Sequence, residues 1–121
     1  MATLVCFHAH PDDEAIATGG TMASLAEAGH RVVLVTATGG ELGEVADGFL
    51  DPGETLGARR AVELAAAAGI LGVARQTLLG YHDSGMEGEE SNRRADVFAT
   101  ADLDEAAGRL AAILELSLIH I

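Results

Sequence analysis

The chain has 121 residues, a formal net charge of −12 and a single cysteine. That length holds one domain, small for a doubly wound sheet yet able to bury a core. One cysteine excludes an internal disulfide framework, and the acidic balance excludes nucleic acid as a partner, because phosphate repulsion needs a basic patch to overcome it. No secretory leader and no bilayer-length apolar run is evident, so the cytoplasm is the expected location. Lysine is absent while alanine, glycine and arginine are frequent, the mark of a GC-rich genome.

In chain order, Thr3-Leu4-Val5-Cys6-Phe7 is a nearly continuous apolar run. It predicts a strand buried on both faces of a parallel sheet, with Cys6 as inert core. His8-Ala9-His10-Pro11-Asp12-Asp13-Glu14 follows, placing two histidines and three carboxylates within seven residues. Pro11 suits the first turn of a helix. The acids place negative charge where a helix dipole favours it. Ile16, Met22, Leu25 and Ala26 continue that helix to Gly29. The acid-rich cluster therefore stands where a strand hands over to a helix, the edge at which open α/β sheets bind ligands.

After His30, Val32 to Thr36 reads as a second buried strand, leading into a loop that carries Gly39-Gly40. Asp51-Pro52-Gly53-Glu54 opens a helix reaching about Gly69, and Ala74 to Leu79 forms a third strand. His82 is a loop residue at the entrance of the expected pocket. Residues 87–96 are polar and aperiodic, a surface loop over the site that is either a lid or disordered. Asp102 caps a last helix with Leu103, Ala106, Ala107, Leu110 and Ile113 on one face. This order is the N-terminal half of a Rossmann-like α/β fold, a doubly wound, mostly parallel sheet with helices on both faces. Residues 1–115 are assigned to it. Residues 116–121 break the composition of the rest and resemble a translated transposon end, so they are expected to be a non-native tail. The competing expectation is a C-terminal strand in which His120 supplies a ligand.

The chemistry follows from spacing. His10 and Asp13 are three apart, close enough across a tight turn to present an imidazole and a carboxylate to one ion. Asp12 between them leaves a carboxylate beside the ion, available as a base. A catalytic zinc site needs about three protein ligands and an open position for water, so a third ligand must come from elsewhere. Helix capping alone accounts for one or two of the acids but not for the preceding His-x-His-Pro. His8 is expected to support the ligands from behind, with a weaker claim to be a ligand itself. Glu14 is expected to help shape the turn behind the ligands. A metallo-β-lactamase-like hydrolase is a rival, although it wants a further histidine where Asp13 stands. A nucleotide-binding module is another, with Gly39-Gly40 cradling phosphate.

The run His10-Pro11-Asp12-Asp13-Glu14 after an apolar strand resembles the LmbE/PIG-L family of zinc-dependent de-N-acetylases. So do Thr38-Gly39-Gly40-Glu41-Leu42-Gly43-Glu44, the Arg60-x-x-Glu63 spacing and Asp83-Ser84-Gly85-Met86, the last being similar to the mycothiol-type subgroup. The resemblance implies that His10 and Asp13 bind zinc and that Asp12 is the general base. It implies too that Arg60 and Asp83 contact a polar substrate, with Glu44 and Met86 beside them. Taken alone, Arg60 could equally pair with Glu63, and Asp83 could cap a turn with Ser84 and Gly85. The implied activity is hydrolysis of the N-acetyl amide of an N-acetylglucosamine-containing small molecule, such as GlcNAc-inositol or a mycothiol conjugate. His and Asp ligands accept Fe(II) as well as zinc, and a homo-oligomer is compatible with the sequence. The family's further His-Pro-Asp-His segment is expected beyond Glu115. This stretch alone is therefore expected to be inactive, with its first strand left as a sheet edge.

Overall fold

The computed structural model describes residues 1–119; His120, and with it the alternative ligand role considered for it, lies outside the described residues. Three strands, β1 (Thr3–His8), β2 (Arg31–Thr38) and β3 (Arg75–Tyr81), form one parallel sheet in the order β1-β2-β3. The central strand explains the layering. Along β2 successive side chains point to opposite faces, and residues 32–38 are all buried. Val32 and Leu34 join Cys6, Met22 and Leu64 in a core beneath α2 (Gly19–Glu27) and α3 (Leu56–Leu71). Val33, Val35 and Ala37 join Leu79 and Tyr81 on the other face, covered by Phe98 and by α4 (Leu103–Ile119). The expected α/β half-fold with helices on both faces is therefore present. A parallel sheet whose first strand leads directly into the acid-rich turn is not the antiparallel setting of a metallo-β-lactamase.

Strand β1 departs from the expectation of burial on both faces. Only Cys6 in it is buried, and Phe7 is 40% exposed. The reason is topological: β1 pairs with β2 alone and is an edge of the described sheet, so the apolar run is half covered, as expected for the strand left without an outer neighbour.

The expected single first helix is two. α1 (Asp13–Ala17) stops at Thr18, and α2 begins directly after it. Thr18 has φ −129°, and its Oγ1 donates to the Glu14 carbonyl at 3.3 Å, the local side-chain-to-backbone bond that competes with helix. The two glycines that follow, Gly19 and Gly20, add little propensity to carry the helix across.

Helix α3 starts later and ends later than the sequence suggests. Asp51 to Glu54 close a turn, with the Glu54 N–H bonded to the Asp51 carbonyl and the Asp51 N–H to Glu54 Oε1, each at 3.0 Å. Arg59 grips Glu54 at 2.6 Å and holds its carboxyl below the usual carboxylate range. Thr55 is the true cap, its Oγ1 accepting from Ala58 N–H at 3.2 Å. The helix passes Gly69 and stops at Gly72, whose φ of 80° favours glycine.

The polar stretch 87–96 is linked to its surroundings by hydrogen bonds and a short bridge. Gly85 N–H donates to Ser91 Oγ at 3.0 Å, residues 90–93 form a 3₁₀ turn, and a parallel bridge joins His82 to Val97. Asp102 caps α4 as expected, accepting from Glu105 N–H at 3.0 Å. Of the expected apolar face, Ala106, Leu110 and Ile113 pack on the sheet. Leu103 is 80% exposed and Ala107 is also exposed, because they fall outside the stripe that meets the sheet. Leu116 to Ile119 continue α4 as helix, not strand. No helix of the described residues is long and apolar enough to cross a membrane.

Removing the cap tests this account of α3. Thr55→Ala is expected to lower unfolding free energy by about 1 kcal/mol, read as a shifted urea midpoint at unchanged m-value. An unmoved midpoint would mean that α3 does not rely on Thr55 for its start.

Candidate active site

Parallel strands deliver their C-terminal ends to one edge of a sheet, so the loops after β1, β2 and β3 meet there. They enclose an open cavity of about 550 Å³, lined among others by His10, Asp12, Asp13, Glu44, Arg60, Asp83 and Met86. These are the site residues expected from sequence, drawn from four separate stretches of chain. Two expected supporting residues are not among them. His8 turns to Thr18, with Nε2 2.9 Å from Thr18 Oγ1, because that hydroxyl at the break between α1 and α2 offers its ring a partner. Glu14 is 1% exposed and points inward from α1, its Oε2 without a hydrogen-bond partner among the described residues. His82 also stays out of the cavity lining, its Nδ1 2.8 Å from the Asp83 carbonyl oxygen.

The turn after β1 is shaped by its own side chains. Asp13 Oδ2 reaches back to accept the His10 N–H at 3.0 Å, as the acid of a capping box does. His10 Nδ1 stands 3.6 Å from the same Asp13 oxygen. Asp12, at the start of α1, caps nothing with its side chain and has φ 86° and ψ −25°. It is the one non-glycine residue of positive φ among those described. A left-handed backbone costs an L-residue about 1–2 kcal/mol, so Asp12 is strained where its carboxylate faces the cavity, 75% exposed.

Arg60, on α3, holds that turn. One guanidinium nitrogen donates to the Pro11 carbonyl at 2.6 Å and lies 3.5 Å from Asp12 Oδ2; the other terminal nitrogen donates to the Gly40 carbonyl at 2.9 Å. The pairing with Glu63 allowed by spacing is not made; Arg60 reaches across to the loops after β1 and β2. The phosphate-cradle reading of Gly39-Gly40 lacks support, since the Gly40 N–H is committed to Thr38 Oγ1 at 3.2 Å. A side chain on Gly40 would run into the Arg60 guanidinium and one on Gly39 into Glu41, and no helix begins until Leu56.

Asp83 is only 4% exposed and both its oxygens are engaged. Oδ1 lies 2.8 Å from His10 Nε2, and Oδ2 accepts the Leu42 N–H at 3.1 Å. Its own N–H donates to Glu41 Oε2 at 2.9 Å. The turn cap with Ser84 and Gly85 is not formed by this carboxylate. Sequence reasoning did not find the Leu42 N–H, since a backbone donor carries no residue-type signal. Nor did it assign Thr38, whose Oγ1 donates to the Ala9 carbonyl at 3.0 Å and accepts from Gly40 N–H at 3.2 Å; its position directly before Gly39-Gly40 was the available clue.

The donor set suits a divalent ion in part. Two donors about 2.0–2.1 Å from a tetrahedral ion stand roughly 3.4 Å apart, close to the 3.6 Å between His10 Nδ1 and Asp13 Oδ2. Among the described residues no group of three or more His, Cys, Asp or Glu side chains is arranged to hold a metal. The described residues thus bring two donors to a spacing that an ion could bridge, without a complete donor set.

A profile of the PIG-L family, described as GlcNAc-PI de-N-acetylase, matches residues 5–117. The chain is 51% identical over 120 residues to a 1D-myo-inositol 2-acetamido-2-deoxy-alpha-D-glucopyranoside deacetylase of Streptomyces avermitilis, covering 92% of this chain and 41% of that protein. Among solved structures it is similar to N,N'-diacetylchitobiose deacetylase from Pyrococcus horikoshii, with TM-score 0.59 and 34% identity over 68% of this chain and 30% of the other. A 4-carboxy-2-hydroxymuconate hydratase from Pseudomonas putida matches with TM-score 0.55 and 31% identity, over 64% of this chain and 33% of the other. The chain spans about two fifths of the length of the curated relatives it matches.

Arg60 is the clamp whose removal this geometry makes measurable. Arg60→Ala leaves the Pro11 and Gly40 carbonyls without their donor and is expected to cost about 2 kcal/mol. Arg60→Lys, with a point charge in place of a planar fork, is expected to recover less than half of that in chemical denaturation. Full recovery by lysine would mean that charge, and not the two-carbonyl fork, is what matters.

Proposed function

The chain belongs to the PIG-L family of GlcNAc-PI de-N-acetylases, and from that premise we propose that it carries the metal-binding and proton-transfer half of an N-acetyl sugar deacetylase. The reaction is hydrolysis of the acetamide of an N-acetylglucosamine-containing small molecule. A GlcNAc-inositol is the favoured substrate, since the relative named for that deacetylation shares 51% identity. The hydratase relative, at 31%, is the more distant guide. One observation carries the reading: His10 Nδ1 and Asp13 Oδ2 converge to 3.6 Å at a cavity that Asp12 also faces.

His10 and Asp13 would hold the ion, zinc or Fe(II), with a third ligand from outside the described residues. When bound, such an ion polarises the amide carbonyl and lowers the pKa of water. The charge around the cavity favours a cation there: Asp12, Asp13, Asp83, Glu44 and Glu89 line it, against Arg60 as the single arginine. Asp12 takes the proton of the attacking water, its carboxylate being exposed to the cavity and free of the capping role that its position at the start of α1 would suggest. Arg60, already bonded to two carbonyls, holds Asp12 in place; its remaining donors, with Glu44 and Met86 at the cavity rim, are available to sugar hydroxyls.

Two substitutions separate these roles. In a protein in which the third ligand is present, Asp12→Asn is expected to keep the metal content of the unsubstituted enzyme and lose at least about 10²-fold in kcat, measured by elemental analysis and by acetate release from GlcNAc-inositol. His10→Ala is expected to lose the metal itself. Near-normal turnover of Asp12→Asn would refute the base assignment, and an unchanged metal content of His10→Ala would refute the ligand assignment.

A further inference from the structure

We propose that Asp83 is a positioning residue for His10, fixing which ring nitrogen carries the proton and which is free to bind. The argument rests on acceptor chemistry. A carboxylate has no proton to give, so the 2.8 Å contact between Asp83 Oδ1 and His10 Nε2 requires the hydrogen on Nε2. A neutral imidazole has one N–H, so Nδ1 then keeps its lone pair. That lone pair faces Asp13, 3.6 Å from Oδ2, which is beyond hydrogen-bond distance and leaves room for an ion between the two atoms.

The orienting carboxylate is itself immobilised. Asp83 is 4% exposed, its second oxygen is held by the Leu42 N–H at 3.1 Å, and its backbone N–H is held by Glu41 Oε2 at 2.9 Å. The loop after β2 thus grips the residue after β3, which in turn sets the ring after β1. Each oxygen already accepts one protein donor, so the carboxylate is fixed against His10 before any substrate arrives. Carboxylates that accept the far N–H of a ligating histidine raise its basicity and fix its orientation, and their loss costs about 10- to 100-fold in metal affinity.

The consequence for metal rests on the reading of His10 and Asp13 as ligands; the tautomer does not. Both can be read on the full chain. Long-range proton–nitrogen spectra of the metal-free protein, recorded at alkaline pH where the ring nitrogens show a single N–H, report the tautomer of His10, identified by the signals missing from His10→Ala. The wild type is expected to show the Nε2–H form alone, and Asp83→Ala a mixture of the two. Zinc affinity is expected to fall about 100-fold in Asp83→Ala and about 10-fold in Asp83→Asn, which keeps the shape and so guards against misfolding. A pure Nε2–H ring and unchanged zinc affinity in both variants, with only KM raised, would overturn the proposal and make Asp83 a substrate contact. A tautomer that depends on Asp83 in a protein whose zinc affinity is indifferent to His10→Ala would support the positioning contact while refuting the ligand reading.

Discussion

The candidate site depends on three parallel strands ending at the same edge. The hydrogen-bonded register of β1, β2 and β3 brings the turn at 10–13, the loop at 40–44 and the segment from Asp83 within reach of one another. Of the residues in these loops only Pro11 is a buried apolar side chain. They are held by polar cross-links: Arg60 to the Pro11 and Gly40 carbonyls, Thr38 to Ala9, and Asp83 to His10 and Leu42. The fully buried β2 supplies the rigid reference for all of them, since it is packed on both faces and paired along both edges. A site built this way is precise because most of its supports involve a charged side chain. It is also vulnerable, because removing one support leaves a buried partner unsatisfied.

What the sequence made legible followed from local patterning. The apolar runs located all three strands within a few residues, and the residue types of the acid-rich turn suggested the chemistry proposed for it. Where β1 was misjudged, the run of apolar residues was real, but burial is set by neighbours, and its outer side has no paired strand among the described residues. The break at Thr18 was invisible because helical spacing continues through it; a single hydroxyl, bonded between His8 and Glu14, decides the matter. The start of α3 was misplaced for a related reason. Pro52 and the acids around it look like a helix opening, yet the Asp51–Glu54 turn satisfies itself and leaves Thr55 as the cap.

The site residues divide along the same line. His10, Asp12 and Asp13 lie within four positions, so their spacing carried the inference. Arg60 and Asp83 were identified as site residues, but their bonds were not, since these reach 49 and 73 positions along the chain. Spacing left Arg60 free to pair with Glu63 or to face the site; the fold shows the guanidinium bonded to two backbone carbonyls. His8, one of two histidines that an extended segment would aim the same way, was diverted by a hydroxyl ten residues later.

The backbone of Asp12 is the place where stability and the proposed role conflict most plainly. Its φ of 86° is one that glycine adopts without penalty, as Gly40, Gly72 and Gly80 do elsewhere in the chain. A glycine there would relieve the strain, yet the position holds an aspartate whose side chain caps no helix and is largely exposed to the cavity. The stability gained from that side chain is small, since its one ion-pair contact, to Arg60 at 3.5 Å, is mostly solvated. Strain of this kind persists only when surrounding contacts over-determine the conformation. Here those contacts are the Pro11 carbonyl bond from Arg60 and the Asp13 carboxylate folded back on His10 N–H. They fix the turn on either side of Asp12 while leaving its carboxylate without a capping role, which is the arrangement expected of a group kept for proton transfer and not for folding.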